Sequence, residues 1–117
     1  MYVTLLKSKL HRATVTDASL HYEGSISIPP RLIELSGMME FEKVLVANVN
    51  NGSRFETYVI VGEEGQICLN GAAAHLGKPG DKVIIMSFAQ VDENEAVAFT
   101  PKVVLLDDHN QPKAKDA

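Results

Sequence analysis

Apolar and polar residues alternate over short stretches of this chain, and glycine, proline, asparagine and aspartate stand between the stretches. Alternation at a period of two is typical of strands with one buried face. The stretches that we expect to form strands are residues 2–8, 12–18, 25–28, 44–50, 54–61, 66–69, 82–91, 96–99 and 102–106. Many short strands between turns predict a mainly β domain, either a sandwich or a small barrel.

Three local signals add detail to this prediction. Asn51 and Gly52 predict a tight hairpin turn with positive φ at both positions, between two of these strands. Pro30 favours the first turn of a short helix, which Gly37 would end in the left-handed conformation. The alanine-rich residues 71–76 predict a single helical turn.

Length and composition fit one domain, residues 1–117, and exclude some function classes. The chain has 117 residues, 45% of them hydrophobic, and a net charge of −4. A basic face for nucleic acid is therefore not expected, and no apolar run approaches the roughly 20 residues that cross a bilayer. We expect a cytoplasmic protein without a signal peptide, because no charged leader precedes an apolar stretch. The polar residues 107–117 are expected to form a flexible tail.

Disulfide and metal chemistry are not expected either. Cys68 is the only cysteine, so it has no partner within the chain. The four histidines are scattered and have no ligand spacing. We interpret Cys68, His75 and His109 as structural residues.

Gly24 and Ser25, at the end of the motif HYEGS (residues 21–25), can react with each other. Glycine leaves its carbonyl open and lets the backbone reach strained conformations, so the serine hydroxyl can attack this carbonyl and turn the amide into an ester. Elimination then releases the front fragment, and hydrolysis of the remaining dehydroalanine leaves a pyruvoyl group, a ketone at the new N-terminus. The alternative is an ordinary turn, since Gly-Ser pairs are common in loops.

Further motifs accompany this pair, in one order and at one set of spacings. They are KLHR at residues 9–12, NG at 51–52, RF at 54–55, TY at 57–58 and NGAAAH at 70–75. Together with HYEGS they resemble the pyruvoyl-dependent aspartate 1-decarboxylases, from about Met1 to Val104. HYEGS and NGAAAH are the specific parts of this resemblance, and the stretches between the motifs carry none of it.

The resemblance implies a small closed β-barrel of the double-ψ type with one or two short helices, assembled as a homotetramer with active sites between subunits. It implies self-cleavage into residues 1–24 and 25–117, and a covalently bound pyruvoyl group derived from Ser25, with no metal. The implied reaction is decarboxylation of L-aspartate to β-alanine and CO₂ through a Schiff base, a lyase step in pantothenate and coenzyme A biosynthesis. Whether a helper protein assists maturation stays open.

The implied chemistry assigns roles to several side chains. The pyruvoyl group accepts the electrons that the departing carboxylate leaves behind. Arg54 can hold the other substrate carboxylate through two parallel hydrogen bonds, and Lys9 could add a second positive charge. Tyr58 is the proposed proton donor, since a phenol is acidic enough for so strong a base as a carbanion. Thr57 resembles the family position that contacts the substrate and that hydrogen-bonds the Gly24 carbonyl during cleavage.

Strand geometry leaves two questions about these residues open. Thr57 and Tyr58 are adjacent, so in a regular strand they point to opposite faces; either a bulge redirects one of them or they serve two sites. Arg54 and Tyr58 share a face, but about 13 Å separates their Cα atoms. Their long side chains could converge on one small molecule, or they could serve different subunit-interface sites.

A loop of small residues is the remaining candidate for substrate binding. Its small side chains let backbone N–H groups approach a carboxylate, whereas the structural alternative is a helical turn packed against a strand. The candidates in this loop are Asn70, Gly71, Ala72 and Ala73. His11 and Tyr22 are candidates for supporting roles near Ser25, and the role of His21 stays open.

Two other interpretations are compatible with the residues. The first is a pyruvoyl decarboxylase for another small amino acid, although Arg54 disfavours basic substrates by charge repulsion. The second is a non-catalytic β-barrel binding module that is not self-cleaved. Finding one intact polypeptide or two fragments separates the second interpretation from every pyruvoyl enzyme.

Overall fold

The computed structural model describes residues 1–21 and 23–113 of the chain. The strands in this part are β1 (Tyr2–Thr14), β2 (Asp17–Ser19), β3 (Ser25–Ile28), β4 (Lys43–Asn48), β5 (Arg54–Val61), β6 (Cys68–Asn70), β7 (Lys82–Asp92) and β8 (Lys102–Leu105). The helices are α1 (Pro30–Ser36), a 3₁₀ helix (Gly71–His75) and α2 (Glu93–Ala96). None of these described helices is long and apolar enough to span a bilayer.

All of these strands belong to one sheet, in the order β2-β6-β3-β5-β4-β7-β1-β8. Neighbouring strands in this order are antiparallel, except for three parallel pairs, which are β2–β6, β3–β5 and β1–β8. Within the described residues no ladder joins β2 to β8, so hydrogen bonds do not close the sheet, but its strands surround one core and are consistent with a small barrel. The prediction of a mainly β fold is confirmed.

The core consists of inward-pointing residues from most of the strands. In β4 and β7 alternate residues are buried, as expected for strands with one face on the core. The largest fully buried side chains include Leu10, Ile26, Ile28, Leu32, Ile67, Leu69 and Ile85. Every residue of β3 is buried, so the strand that begins at Ser25 is packed on both faces.

The strands predicted at 2–8 and 12–18 are not separate, and that division is wrong. β1 continues through the residues between them. Its register against β7 shifts twice, the second time around Arg12, whose φ is 63°. A bulge bends a long strand without ending it, and in the apolar pattern such a bend looks like a break between strands.

The β4–β5 hairpin is present, but its turn differs from the prediction. Residues 49–53 connect the two strands, and of the predicted turn pair only Gly52 has positive φ, at 77°. The Asn48 side chain accepts hydrogen bonds from the N–H groups of Asn50 and Asn51, at 2.9 and 3.3 Å. Because this side chain satisfies the loop backbone, the chain forms a wider loop in place of a two-residue turn.

Both helical predictions are confirmed, and one strand prediction is wrong. α1 starts at Pro30 and is followed by Gly37, whose φ is 74°. The turn predicted at 71–76 is the 3₁₀ helix. Residues 96–99 are not a strand, because α2 and the turn after it occupy this region. The Asp92 side chain caps α2 by accepting a backbone N–H at 2.9 Å, which fixes the helix start.

Residues 107–113, which belong to the segment predicted as a flexible tail, lie against the sheet in the structure. Asn110 is 2% exposed, and its side chain donates to the carbonyl oxygens of Thr14 and Gly65, both at 2.9 Å. Its Oδ1 also accepts from the Thr14 N–H at 2.7 Å. One polar side chain thus holds this segment against the sheet, which its composition does not indicate. Residues 114–117 of the predicted tail lie outside the described residues.

Candidate functional site

Ser25 is fixed at the start of β3. It is 2% exposed, and the register of β3 with β6 places it opposite Asn70. Its Oγ donates to the Glu23 carbonyl oxygen at 3.2 Å and accepts from Asn70 Nδ2 at 3.0 Å. The candidate nucleophile is therefore held by a buried strand and by two hydrogen bonds.

The surroundings of Gly24 are open, whereas its neighbour Ser25 is tightly packed. It is exposed, and a Cβ placed on it would have no atom within 4 Å. Its φ is not positive, so the left-handed backbone that glycine permits is not used here. What glycine contributes is the missing side chain, which leaves the carbonyl that Ser25 would attack free of steric hindrance.

Two depressions meet at Tyr58 of β5. The larger of them has a volume of about 480 Å³ and is lined by Ser25, Tyr58 and Phe41, among others. The smaller has a volume of about 280 Å³ and includes Gly24, Thr57 and Tyr58 in its lining. The two residues of the candidate scissile bond therefore line two depressions that share one tyrosine.

The adjacent residues Thr57 and Tyr58 lie in a regular part of β5. β5 pairs with β4 without a register shift, so no bulge redirects either residue. Both residues are half-buried and both line this depression. The pairing of β5 with β4 therefore shows no bulge that would redirect one of them, and a shared site for the two side chains stays a prediction.

The loop of small residues lies on the other side of this depression. Gly71 opens the 3₁₀ helix with a φ of 63°, a conformation that glycine adopts without strain. Ala72, which is exposed, and Ala73, which is 6% exposed, line the depression. The first N–H groups of a helix have no partner within it, so this helix start suits an anionic group. The helical-turn and substrate-loop interpretations are therefore compatible.

Asn70 has a different place from the one that its motif suggests. It is the last residue of β6 and its side chain points to Ser25. Nδ2 donates to Ser25 Oγ at 3.0 Å and to Ser27 Oγ at 3.1 Å, and Oδ1 accepts from Cys68 Sγ at 3.2 Å. Sequence reasoning missed Ser27 and assigned Cys68 to a purely structural role. Residues two apart in a strand share a face, but only the β3–β6 register shows that the two faces meet.

Arg54 and Lys9 are not near Ser25 within this chain. Arg54 is exposed at the start of β5, and Lys9 lies in β1, three positions away from β5 in the sheet order. Neither residue lines the two depressions at Tyr58. The ion pairs among the described residues include neither of them.

Of the histidine candidates, one lies next to Ser25 and another lies on a different strand. His21 lines the larger depression with Ser25. His11 lies in β1, opposite Leu105 of β8, and its buried Nδ1 has no hydrogen-bond partner among the described residues. Desolvation, followed by the charges of neighbouring basic residues, lowers the pKa of His11, so its neutral form is favoured. Tyr22, the other supporting candidate, lies outside the described residues.

No Lys or Arg of the described part of the chain lines the two depressions at Tyr58. In residues 1–21 and 23–113, no three His, Cys, Asp or Glu side chains are grouped to hold a metal ion. Burial, with a smaller contribution from the charge of Asp17, raises the pKa of Cys68, so this residue stays a thiol. Another depression, of about 630 Å³, lies between α1 and β8 and is lined by none of the predicted site residues.

Several known proteins are similar to this chain over most of its length. A family model described as aspartate decarboxylase matches residues 1–113. A protein of Campylobacter jejuni subsp. jejuni serotype O:6 named aspartate 1-decarboxylase is 62% identical over 111 residues, which are 94% of this chain and 88% of the relative. Another protein of that name, from Leptospira biflexa, is 55% identical over 116 residues, 97% of this chain and 98% of the relative. A third, from Chlorobium chlorochromatii, is 55% identical and covers 98% of this chain and 91% of the relative.

Proposed function

The chain belongs to the aspartate decarboxylase family, and we propose that it converts L-aspartate to β-alanine and CO₂ with a pyruvoyl group made from its own Ser25. The β-alanine would serve pantothenate biosynthesis. The observation that carries this proposal is the difference in environment between the two residues of the Gly24–Ser25 peptide bond. The Ser25 hydroxyl is buried and held by hydrogen bonds, whereas the carbonyl that precedes it belongs to the exposed and unhindered Gly24.

Self-processing at this bond requires neither an oxidant nor a metal. Ser25 Oγ attacks the Gly24 carbonyl carbon, the C–N bond breaks, and the proton of the hydroxyl ends on the freed amine. Removal of the Cα proton then breaks the ester C–O bond, so residues 1–24 leave as a carboxylate and dehydroalanine remains. This enamine tautomerises to an imine, and one water molecule converts it to the ketone with loss of ammonia. Thr57 lines the depression next to Gly24 and is the proposed hydrogen-bond donor to its carbonyl.

The residues around Ser25 fit a pyruvoyl group. Asn70 Nδ2 lies beside residue 25, where it donates to the serine Oγ. In the pyruvoyl group the ketone oxygen takes the place of the backbone nitrogen on the neighbouring Cα, and it is an acceptor that such a donor can serve. When bound, the group supplies the electron sink that decarboxylation needs. Tyr58 borders both depressions and is the proposed proton donor to the substrate carbon. The backbone at Gly71, Ala72 and Ala73 is proposed to bind the substrate.

Recognition of the second substrate carboxylate points to more than one subunit. Aspartate carries two carboxylates, but neither Arg54 nor Lys9 lines the depressions at Ser25 in the same chain. We therefore propose a homotetramer with active sites between subunits, in which a neighbouring subunit supplies part of the positive charge. His11 lies on the same strand as Lys9 and would reach the site with it.

Intact mass spectrometry tests the proposal directly. The purified wild-type chain should yield two fragments, residues 1–24 and residues 25–117, the latter with a blocked N-terminus that reacts with carbonyl reagents. Ser25→Ala should stay a single chain and make no β-alanine, since no hydroxyl remains to attack. A wild-type protein that is uncleaved and still fully active would refute the mechanism.

A further inference from the structure

The Asn70 side chain makes three hydrogen bonds with buried side chains. Both N–H groups of its amide are used, one by Ser25 Oγ at 3.0 Å and one by Ser27 Oγ at 3.1 Å. On the opposite side, Cys68 Sγ lies 3.2 Å from Oδ1 and donates to it. All four side chains are buried, with residue exposures of 2% for Ser25 and Asn70, 7% for Ser27 and 5% for Cys68.

The orientation of this amide determines where the Ser25 hydroxyl points. An amide nitrogen donates and does not accept, so Ser25 Oγ must be the acceptor in its contact with Asn70. Its own proton is then free to donate to the Glu23 carbonyl oxygen, at 3.2 Å. A donor to the hydroxyl oxygen also stabilises negative charge on that oxygen as its proton leaves.

A rotation of the amide by 180° would reverse these roles. Oδ1 would then face the hydroxyls of Ser25 and Ser27, and the Ser25 proton would be drawn to it and away from Glu23. The amide nitrogen would face the Cys68 thiol, which is a weak acceptor. The thiol therefore favours the observed orientation as the donor to Oδ1. The Ser27 hydroxyl, which can donate or accept, completes this orientation as the acceptor for the second N–H of Nδ2.

We propose that Ser27 and Cys68 are positioning residues for self-processing, which act by holding the Asn70 amide with its nitrogen toward Ser25. Neither residue touches the bond to be cleaved. The inference rests on the proposed function, because the direction of the Ser25 hydroxyl matters only in a chain that processes itself there. It gives Cys68 a chemical role beyond packing.

The test compares two substitutions of Cys68 that differ by one hydroxyl group. Cys68→Ser keeps a donor for Oδ1, whereas Cys68→Ala has nearly the same volume as the serine variant and no donor. The unprocessed chain is purified soon after synthesis, and the loss of intact chain is followed by mass spectrometry. Cys68→Ala should process roughly three- to tenfold more slowly, the effect of one ordinary hydrogen bond. Cys68→Ser should stay within about twofold of wild type, because its hydroxyl replaces the thiol as donor.

Ser27→Ala extends the test to the other side of the amide, with Ser87→Ala as its matched control. Ser87 is also a fully buried strand serine, and its Oγ lies 2.6 Å from Ser8 Oγ, remote from Asn70. Both variants lose a buried hydroxyl and should lower the thermal midpoint, but only Ser27→Ala should slow processing. This separation distinguishes positioning from general stability.

Equal processing rates of the Cys68→Ala and Cys68→Ser variants, whether fast or slow, would overturn the inference, because the donor would then be irrelevant. Equal slowing by Ser27→Ala and Ser87→Ala would overturn it too. Neither result affects the proposed function as long as the wild type cleaves and Ser25→Ala does not. A wild-type chain that stays intact overturns the proposed function, and this inference with it.

Discussion

Tyr58→Phe separates the chemistry of proton return from everything that precedes it. The phenylalanine keeps the ring that lines both depressions and removes only the hydroxyl. That hydroxyl has no hydrogen-bond partner among the side-chain contacts of the described residues. No buried partner is therefore left unsatisfied, and the free energy of unfolding should change by less than about 0.5 kcal/mol.

The substitution should leave processing unchanged and should strongly lower turnover. In the proposed mechanism, processing uses the Ser25 hydroxyl and its contacts to Asn70 and Glu23, so the variant should still give residues 1–24 and 25–117. Release of β-alanine should fall by roughly 10²–10⁴-fold, the usual effect of a positioned general acid. This corresponds to a barrier higher by about 3–5 kcal/mol.

The assay measures β-alanine by mass spectrometry after the processed fraction of each preparation has been determined. Tyr2→Phe is the matched control, because Tyr2 is 73% exposed in β1, away from both depressions. Its turnover should equal that of wild type. A fully processed Tyr58→Phe protein that turns over within a few-fold of wild type would show that another group returns the proton, and the assignment of Tyr58 would be wrong.

Three further predictions follow from the charges and buried polar groups. Arg54→Ala should lower kcat/KM for aspartate on the order of 30-fold or more, as expected when one partner of a desolvated charge pair is lost. Arg54→Lys should recover only part of the lost kcat/KM. A change below about threefold in the alanine variant would show that Arg54 does not bind the substrate. Asn110→Ala should lower the free energy of unfolding by about 1.5–4.5 kcal/mol in urea titrations, because three hydrogen bonds are lost. The hydrogen bonds from Asn48 Nδ2 and the Lys78 N–H lower the pKa of Asp81, so its stabilisation is present above its unfolded pKa of about 4 and is lost as the pH falls through the folded value. Asp81→Asn should therefore destabilise the protein at pH 7 and much less at pH 2, in unfolding measurements at one protein concentration.

Local signals in the sequence predicted local structure. Pro30 and Gly37 bound α1 as their backbone preferences require, and the β4–β5 hairpin forms where the asparagine-glycine pair stands. The details that failed depend on side chains that act on a distant or irregular backbone. Asn48 widens the hairpin loop, and Asn110 holds a polar segment that composition alone assigns to a tail.

The motifs supplied candidate site residues, but not the arrangement of their side chains. The motifs named Ser25 and Asn70 separately, and nothing in their spacing shows that their side chains meet. That contact depends on the register of β3 with β6, between residues 45 positions apart. Register is set by the whole buried face, so the contact and its neighbours Ser27 and Cys68 appear only in the folded chain.

The arrangement separates two requirements of the proposed enzyme. In the proposed mechanism, processing needs the Ser25 hydroxyl, the open Gly24 carbonyl and the Asn70 amide, and one chain supplies all three close together. Substrate binding also needs positive charge, and in one chain Arg54 and Lys9 lie outside the depressions at Ser25. A subunit would thus hold the groups for making its own cofactor, whereas its use would depend on a neighbour. On this argument, substitutions at a subunit interface that carries Arg54 or Lys9 should impair turnover far more than processing, and substitutions around Asn70 should impair processing first.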